Sequence, residues 1–158
     1  MSQLPRSARR VEDAGKALGL HTKIVEMEES TRTAEEAADA CGCAVGQIVK
    51  SLVFQGADSA KPYLLLVSGT NRVNEKAVAR VLGESLKRPN ADFVREVTGY
   101  AIGGIPPFGH DTALATFIDA DLLQYSEIWA AAGTPKCVMK LQPAALKSSV
   151  NVNLINVN

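Results

Sequence analysis

Gly99-Tyr100-Ala101-Ile102-Gly103-Gly104-Ile105-Pro106-Pro107-Phe108-Gly109-His110 is the stretch from which this chain is best read. Four glycines and two prolines in twelve residues exclude an ordinary helix or a central strand. Glycine reaches φ > 0 and admits close backbone approach, whereas proline fixes φ and removes a donor. Interleaved, they define a tight path and leave the N–H groups of Gly103, Gly104 and Ile105 free to aim at a ligand. Such amides can hold an anion or an oxyanion without a charged side chain. The alternative is a tight surface turn. Ile102, Ile105 and Phe108 argue for a shaped, partly buried loop instead.

The elements on either side are short and mixed. Leu4, Ala8, Val11, Ala14 and Leu18 recur at helical spacing, with Pro5 early and Gly19 as a stop. The opposite face carries Arg6, Arg9, Arg10 and Lys16, either a solvated face or a contact for a nucleic-acid backbone. Thr22 to Met27 reads as a strand. Thr33-Ala34-Glu35-Glu36 is a capping box that opens a helix closed by Gly42. Cys41 lies on its small-residue face and reads as packing rather than as a nucleophile.

Ile48 to Gln55 is a strand without a breaker, followed by the nearly all-apolar Tyr63 to Ser68, and the two predict a hairpin. Asn74 and Asn90 cap two further helices, stopped by Gly83 and Gly99. Strands are predicted over 114–119, 127–131 and 136–141, the last two as a second hairpin around Gly133-Thr134-Pro135. Pro143 starts a last helix. The Asn-rich tail from Asn151 is either an edge strand or a frayed end. This order predicts an α+β fold, a single domain over 1–158 with a mixed, largely antiparallel and barrel-like sheet surrounded by helices.

Bulk properties narrow the function classes. A chain of 158 residues suits one domain that buries about two-thirds of its unfolded surface. Seventeen basic and seventeen acidic residues cancel, so no global basic field draws in nucleic acid, and any RNA contact must be local. Arg9, Arg10, Arg72, Lys76, Arg80, Lys87 and Arg88 could supply such a patch. Three cysteines without a signal peptide point to free thiols in a reducing compartment, hence the cytoplasm. Cys41-Gly42-Cys43 lacks the spacer of zinc and redox pairs, and neither a metal nor a cofactor is implied. No apolar run approaches the ~20 residues of a membrane span.

Among candidates for chemistry, Lys50 is the intruder. On its strand it shares a face with Ile48, Leu52 and Phe54, while Val49, Ser51 and Val53 share the other. A buried ammonium is costly unless paired or led to a pocket. It is either a lysine that snorkels to solvent or a functional cation on a rigid strand. Beside it stand the Gly103–Pro107 backbone, His110, and the hydroxyls of Ser30, Thr31, Thr33 and Ser68. No nucleophile elbow, Walker sequence or dinucleotide fingerprint is present. The set suits binding and positioning of an ester more than attack by a protein nucleophile.

Gly46-Gln47-Ile48-Val49-Lys50-Ser51-Leu52-Val53-Phe54, taken together with residues 99–110, resembles the YbaK/ProX family. Its members are free-standing relatives of the editing domain inserted in bacterial prolyl-tRNA synthetases. The helix from Thr33 to Cys41 and the Val67-Ser68-Gly69 strand end stand in the matching order, and the likeness runs from Val11 to Leu146. It implies hydrolysis of an amino acid wrongly esterified to a tRNA 3′ end, usually tRNA for proline. The family's essential lysine matches Lys50 and its Gly-x-x-x-Pro loop matches Gly103 to Pro107. Lys50, Gly103 and Gly104 are then the expected catalytic positions. Ser30, Thr31, Thr33, Ser68, Ile105, Pro106, Pro107 and His110 are the expected substrate contacts. Water attack in such enzymes is assisted by the substrate's own ribose hydroxyl. The expected partners are the aminoacylated tRNA end and prolyl-tRNA synthetase. A non-catalytic module that binds aminoacyl-tRNA or a synthetase is the competing expectation.

Overall fold

The computed structural model describes residues 4–28 and 33–158; Ser30 and Thr31 lie outside the described residues. Three of the α-helices open on a side-chain cap that the sequence supplies. Helix α1 (Arg6–Ala17) follows Pro5, and strand β1 covers Lys23–Glu26. The Thr33 hydroxyl accepts the Glu36 N–H at 3.1 Å to open α2 (Ala34–Cys41). Asn74 accepts from the Ala77 N–H to open α3 (Glu75–Leu82), and Asn90 accepts from the Phe93 N–H to open α4 (Ala91–Thr98). Gly42, Gly83 and Gly99 close these three helices in the left-handed conformation, where a side chain would be strained. A last helix, α5, spans Pro143–Ser149.

The remaining strands are β2 (Val49–Gly56), β3 (Pro62–Ser68), β4 (Leu86–Lys87), β5 (Ala115–Asp119), β6 (Ile128–Ala131), β7 (Cys137–Leu141) and β8 (Val152–Ile155). They form two sheets, ordered β4-β2-β3-β5-β8 and β1-β7-β6. Both expected hairpins are present: β2 pairs antiparallel with β3, and β6 with β7. The α+β class holds, but the strands do not close into one barrel-like sheet. A parallel bridge between Ile48 and Trp129 links the two sheets. Parallel pairing of β3 with β5 and of β5 with β8 makes the larger sheet mixed. The Asn-rich tail is an edge strand, and beyond it Val157 is fully buried and accepts the Asn74 N–H at 2.6 Å.

Strand β3 is apolar throughout because both of its faces are covered. Leu64 and Leu66 pack into the larger core with Val11, Tyr100, Ile105 and Phe108, whereas Leu65 and Val67 pack with Phe54, Val78 and Ile155. Burial of each such side chain contributes on the order of 1.5–3 kcal/mol. On neighbouring β2, Leu52 and Phe54 join the α3 side while Val49 and Val53 join the larger core. Lys50 therefore stands on the α3 side of the sheet. No helix among the described residues is long and apolar enough to cross a membrane.

The β2–β3 hairpin is pinned by one carboxylate. Glu84 accepts from the N–H groups of Asp58 and Ser59, from the Ser59 hydroxyl, and from the Tyr63 hydroxyl at 2.6 Å. Those donors, the Ser59 hydroxyl first, hold its pKa down to about 2 from 4.5. A depressed carboxylate pKa stabilises the fold above the unfolded value, and that contribution is lost as pH falls through the folded value. The difference in urea midpoint between wild type and Glu84→Gln is expected to be full above pH 4.5 and to shrink as pH falls toward about 2. A difference that stays constant across that window contradicts this role.

Candidate active site

The loop at 99–110 is anchored from behind. Arg10 of α1 pairs with Asp111, donates to the Gly109 carbonyl at 3.2 Å, and lies 4.8 Å from the centre of the Tyr100 ring. The Tyr100 hydroxyl donates to the same Gly109 carbonyl at 3.1 Å. Arg10 thus belongs to the loop's support rather than to an unengaged basic face. Gly103 has φ +94°, open to glycine at little cost. Gly104 backs onto the turn before β7: a Cβ there would stand 2.8 Å from the Gly133 oxygen.

The three amides of this loop are not equivalent. The Gly104 N–H donates to the Ala101 carbonyl at 2.9 Å, and its own carbonyl accepts the Gly133 N–H at 2.9 Å. Gly104 is therefore not the free donor that the sequence suggests; it fixes the loop. The amides of Gly103 and Ile105 make no backbone hydrogen bond to a described residue. His110 lies behind the loop, where its Nε2–H donates to the Pro106 carbonyl at 2.6 Å. Burial is the main cause that pushes the imidazole below its usual pKa, which keeps it neutral and suited to holding Pro106. Pro106 and Pro107 are themselves buried.

Lys50 is held from β3 and beyond. Its ammonium donates to the Asn71 carbonyl in a short contact. Asn71 in turn donates from Nδ2 to Asp119 at 2.8 Å and to Asp121 at 2.7 Å. Asp119, almost fully buried, also accepts the Ser68 N–H at 3.0 Å and the Asp121 N–H at 3.0 Å. Burial lowers the Lys50 pKa from 10.5, and the Arg72 cation lowers it further, against Glu35 and Asp119, which raise it. Lys50 is half-buried with its charge on a carbonyl, not a lysine stretched out to solvent.

A cleft of about 700 Å³ opens in front of this arrangement, within the ~300–1,000 Å³ range of small-ligand sites. Lys50, Gly103 and Ile105 line it, as do Thr33, Glu35 and Trp129. The structure thus brings together the lysine strand and the front of the glycine–proline loop, some fifty residues apart in sequence. Ser68, Gly104, Pro106, Pro107 and His110 stand outside the lining. The Ser68 hydroxyl is spent on the Gly46 carbonyl at 2.7 Å, and the Thr33 hydroxyl on its helix cap. Ser51, next to Lys50, lines the cleft and has a buried hydroxyl with no hydrogen-bond partner. Cys41 offers no nucleophile: burial, reinforced by Cys43, pushes its thiol up to about 11, the reverse of activation.

Asn71 and Asp119 were not legible as supports of Lys50, and Arg72 was legible only as part of a possible basic patch. Asn-Arg after a strand end reads as an ordinary turn, and Asp119 is brought to Asn71 across 48 residues. The cleft supplies the anchored Lys50 cation and the Gly103 and Ile105 segments, whose amides have no backbone partner among the described residues. It can bind and polarise an ester carbonyl, and it fixes geometry rather than offering a protein nucleophile.

Comparison with known proteins identifies the family of this fold. The profile of the aminoacyl-tRNA editing domain matches residues 28–148. An uncharacterized protein of Bacillus subtilis, YwhH, is 30% identical over 125 residues, covering 78% of each chain. The proline–tRNA ligase of Limosilactobacillus fermentum is 35% identical over 81 residues, 49% of this chain but only 14% of the ligase. Among solved structures, a proposed trans-editing enzyme for prolyl tRNA synthetase is 46% identical, with TM-score 0.92 over 99% of both chains. A hypothetical protein at 27% identity superposes with TM-score 0.87 over 94% of this chain and 98% of its own. The chain belongs to the aminoacyl-tRNA editing domain family.

Proposed function

We propose that this chain is a hydrolase that removes a small, wrongly attached amino acid from the 3′ end of a tRNA, tRNA for proline foremost. The observation that carries the reading is the cleft itself: the Asn71-anchored ammonium of Lys50 lines the same space as Gly103 and Ile105, whose amides have no backbone partner among the described residues. Water attacks the ester carbonyl carbon, the tetrahedral oxyanion forms, and the bond to the ribose oxygen breaks. The attacking water's proton passes by way of the neighbouring ribose hydroxyl to the leaving oxygen. The products are the free amino acid and uncharged tRNA. The amides of Gly103 and Ile105 take the oxyanion, and Lys50 orients the terminal nucleotide. An aminoacyl ester is already reactive, so positioning and charge stabilisation suffice.

Selectivity follows from the fixed walls. Gly104 is locked to Gly133, and His110 holds Pro106, so the cleft does not adapt to bulk. A methylene is worth only about 1–3 kcal/mol in such a site, so leakage among small amino acids is expected. Purified protein incubated with mischarged tRNA for proline should release Ala, Cys, Ser or Thr and largely spare Pro. Retention of every ester with RNA binding intact would identify a binding module instead.

Lys50→Ala should fold and lose on the order of 10²-fold or more in turnover, because misplacement by ~1 Å costs about that much. Lys50→Arg should rescue poorly, since a planar guanidinium cannot replace a point-like ammonium. Wild-type turnover in both variants contradicts the assignment.

Asp119 acts as a positioning residue, and its signature is a pH profile. The ammonium is the active form, and its pKa is lowered from 10.5. The alkaline limb of deacylation, corrected for spontaneous hydrolysis, should therefore sit below 10.5. Asp119 favours the charged lysine, so Asp119→Asn should move the limb down; Arg72 opposes it, so Arg72→Gln should move it up. Asp119→Asn should also cost about 1–3 kcal/mol of stability through the unpaired donors it leaves. Shifts of the same sign in both variants rule out this arrangement.

A further inference from the structure

A second hollow of about 580 Å³ adjoins the cleft, sharing Lys50, Arg72, Ile102 and Ile105 with it. Its charged lining residues are Lys50, Arg72 and Arg88, with no carboxylate among them. Apart from Ser51, its other walls are apolar, among them Leu52, Phe54, Pro89 and Val94. Ile102, 59% exposed, forms part of both hollows and marks their junction. Arg88 is largely exposed and, among the described residues, is engaged only by Glu75 at 3.2 Å, so most of its donors remain available. Cations gathered along an apolar trough repel one another and are relieved by an anion, and alternating phosphates and base faces match such a surface.

We propose that this hollow holds the unpaired nucleotides preceding the esterified terminal adenosine, with their phosphates on Arg72 and Arg88. The proposal rests on the reading of the larger cleft as the ester site. An ester seated there is joined to a strand that must leave past one wall, and the wall at Ile102 opens onto this trough. The neutral overall charge is then compatible with RNA binding, because Lys50, Arg72 and Arg88 line the strand's path without a carboxylate among the lining residues. Recognition here is independent of sequence, through backbone charge and base faces.

The test is the binding of a short, 5′-fluorescein-labelled single-stranded RNA ending in CCA, followed by anisotropy over a range of salt concentrations. Arg88→Gln is expected to weaken binding about 3- to 10-fold, and to make the log–log salt dependence shallower by about 0.7, the share of one single-strand phosphate. Glu75→Gln, which removes the carboxylate that competes for Arg88, is expected to tighten binding about 2-fold. A merely structural role for the pair would weaken both variants alike. An unchanged affinity and salt slope in Arg88→Gln overturns the proposal, as does equal loss on a blunt hairpin RNA lacking a single-stranded end. Deacylation of mischarged tRNA, followed in parallel, separates the two readings. Hydrolysis with Arg88-independent RNA binding rejects the trough and keeps the ester site. Arg88-dependent binding without any hydrolysis keeps the trough and rejects the ester site.

Discussion

The buried carboxylate of Asp119 is the constraint on which the site depends. It collects the Ser68 and Asp121 amides and the Asn71 side chain in one place, at the ends of β3 and β5. A carboxylate so removed from water is tolerable only with its lone pairs occupied. Meeting that requirement orders the turn after β3, and the Asn71 carbonyl then faces the Lys50 ammonium. The lysine is thus positioned through a chain of polar contacts that begins in the core of the larger sheet. Its own strand gives it direction, and the Asp119 network gives it a fixed end.

The opposite wall is built by different means. There the backbone is held by close approach, by one arginine and by a neutral imidazole rather than by a buried anion. Gly104 meets Gly133 with no room for a side chain, Arg10 ties the loop's exit to α1, and neutral His110 props Pro106. Each of these contacts lies behind the loop. Their common effect is to fix the segment that carries Gly103 and Ile105, whose amides make no backbone hydrogen bond to a described residue. A stiff backbone is what a site that works by positioning requires.

Much of this was legible in the sequence, and the unreadable part has a common cause. Local signals were reliable: Thr33, Asn74 and Asn90 cap helices, Gly42, Gly83 and Gly99 end them, and the two hairpins form where expected. Lys50 stood out because alternation makes a charge on an apolar strand conspicuous. Contacts between residues far apart in the chain left no such mark. Arg10 reads as one of several surface arginines until the fold brings it to Asp111, 101 residues away. Ser68 and Gly104 have the right chemistry for ligand contact, but Gly46 and Ala101 satisfy them first. Both faces of β3 are covered, by the larger core on one side and by α3 and the tail on the other, a fact its apolar run announces without naming the partners.

The claim that the anchored lysine and the loop front make one ester site is tested most directly by amide NMR. Uniformly 15N-labelled protein would be titrated with adenosine carrying alanine through a non-hydrolysable 3′-amide. Saturable movement of the Gly103 and Ile105 amide resonances, larger than that of the internally bonded Gly104 and weakened in Lys50→Ala, is the expected result. Shifts that leave Gly103 and Ile105 in place and cluster elsewhere on the molecule would contradict it.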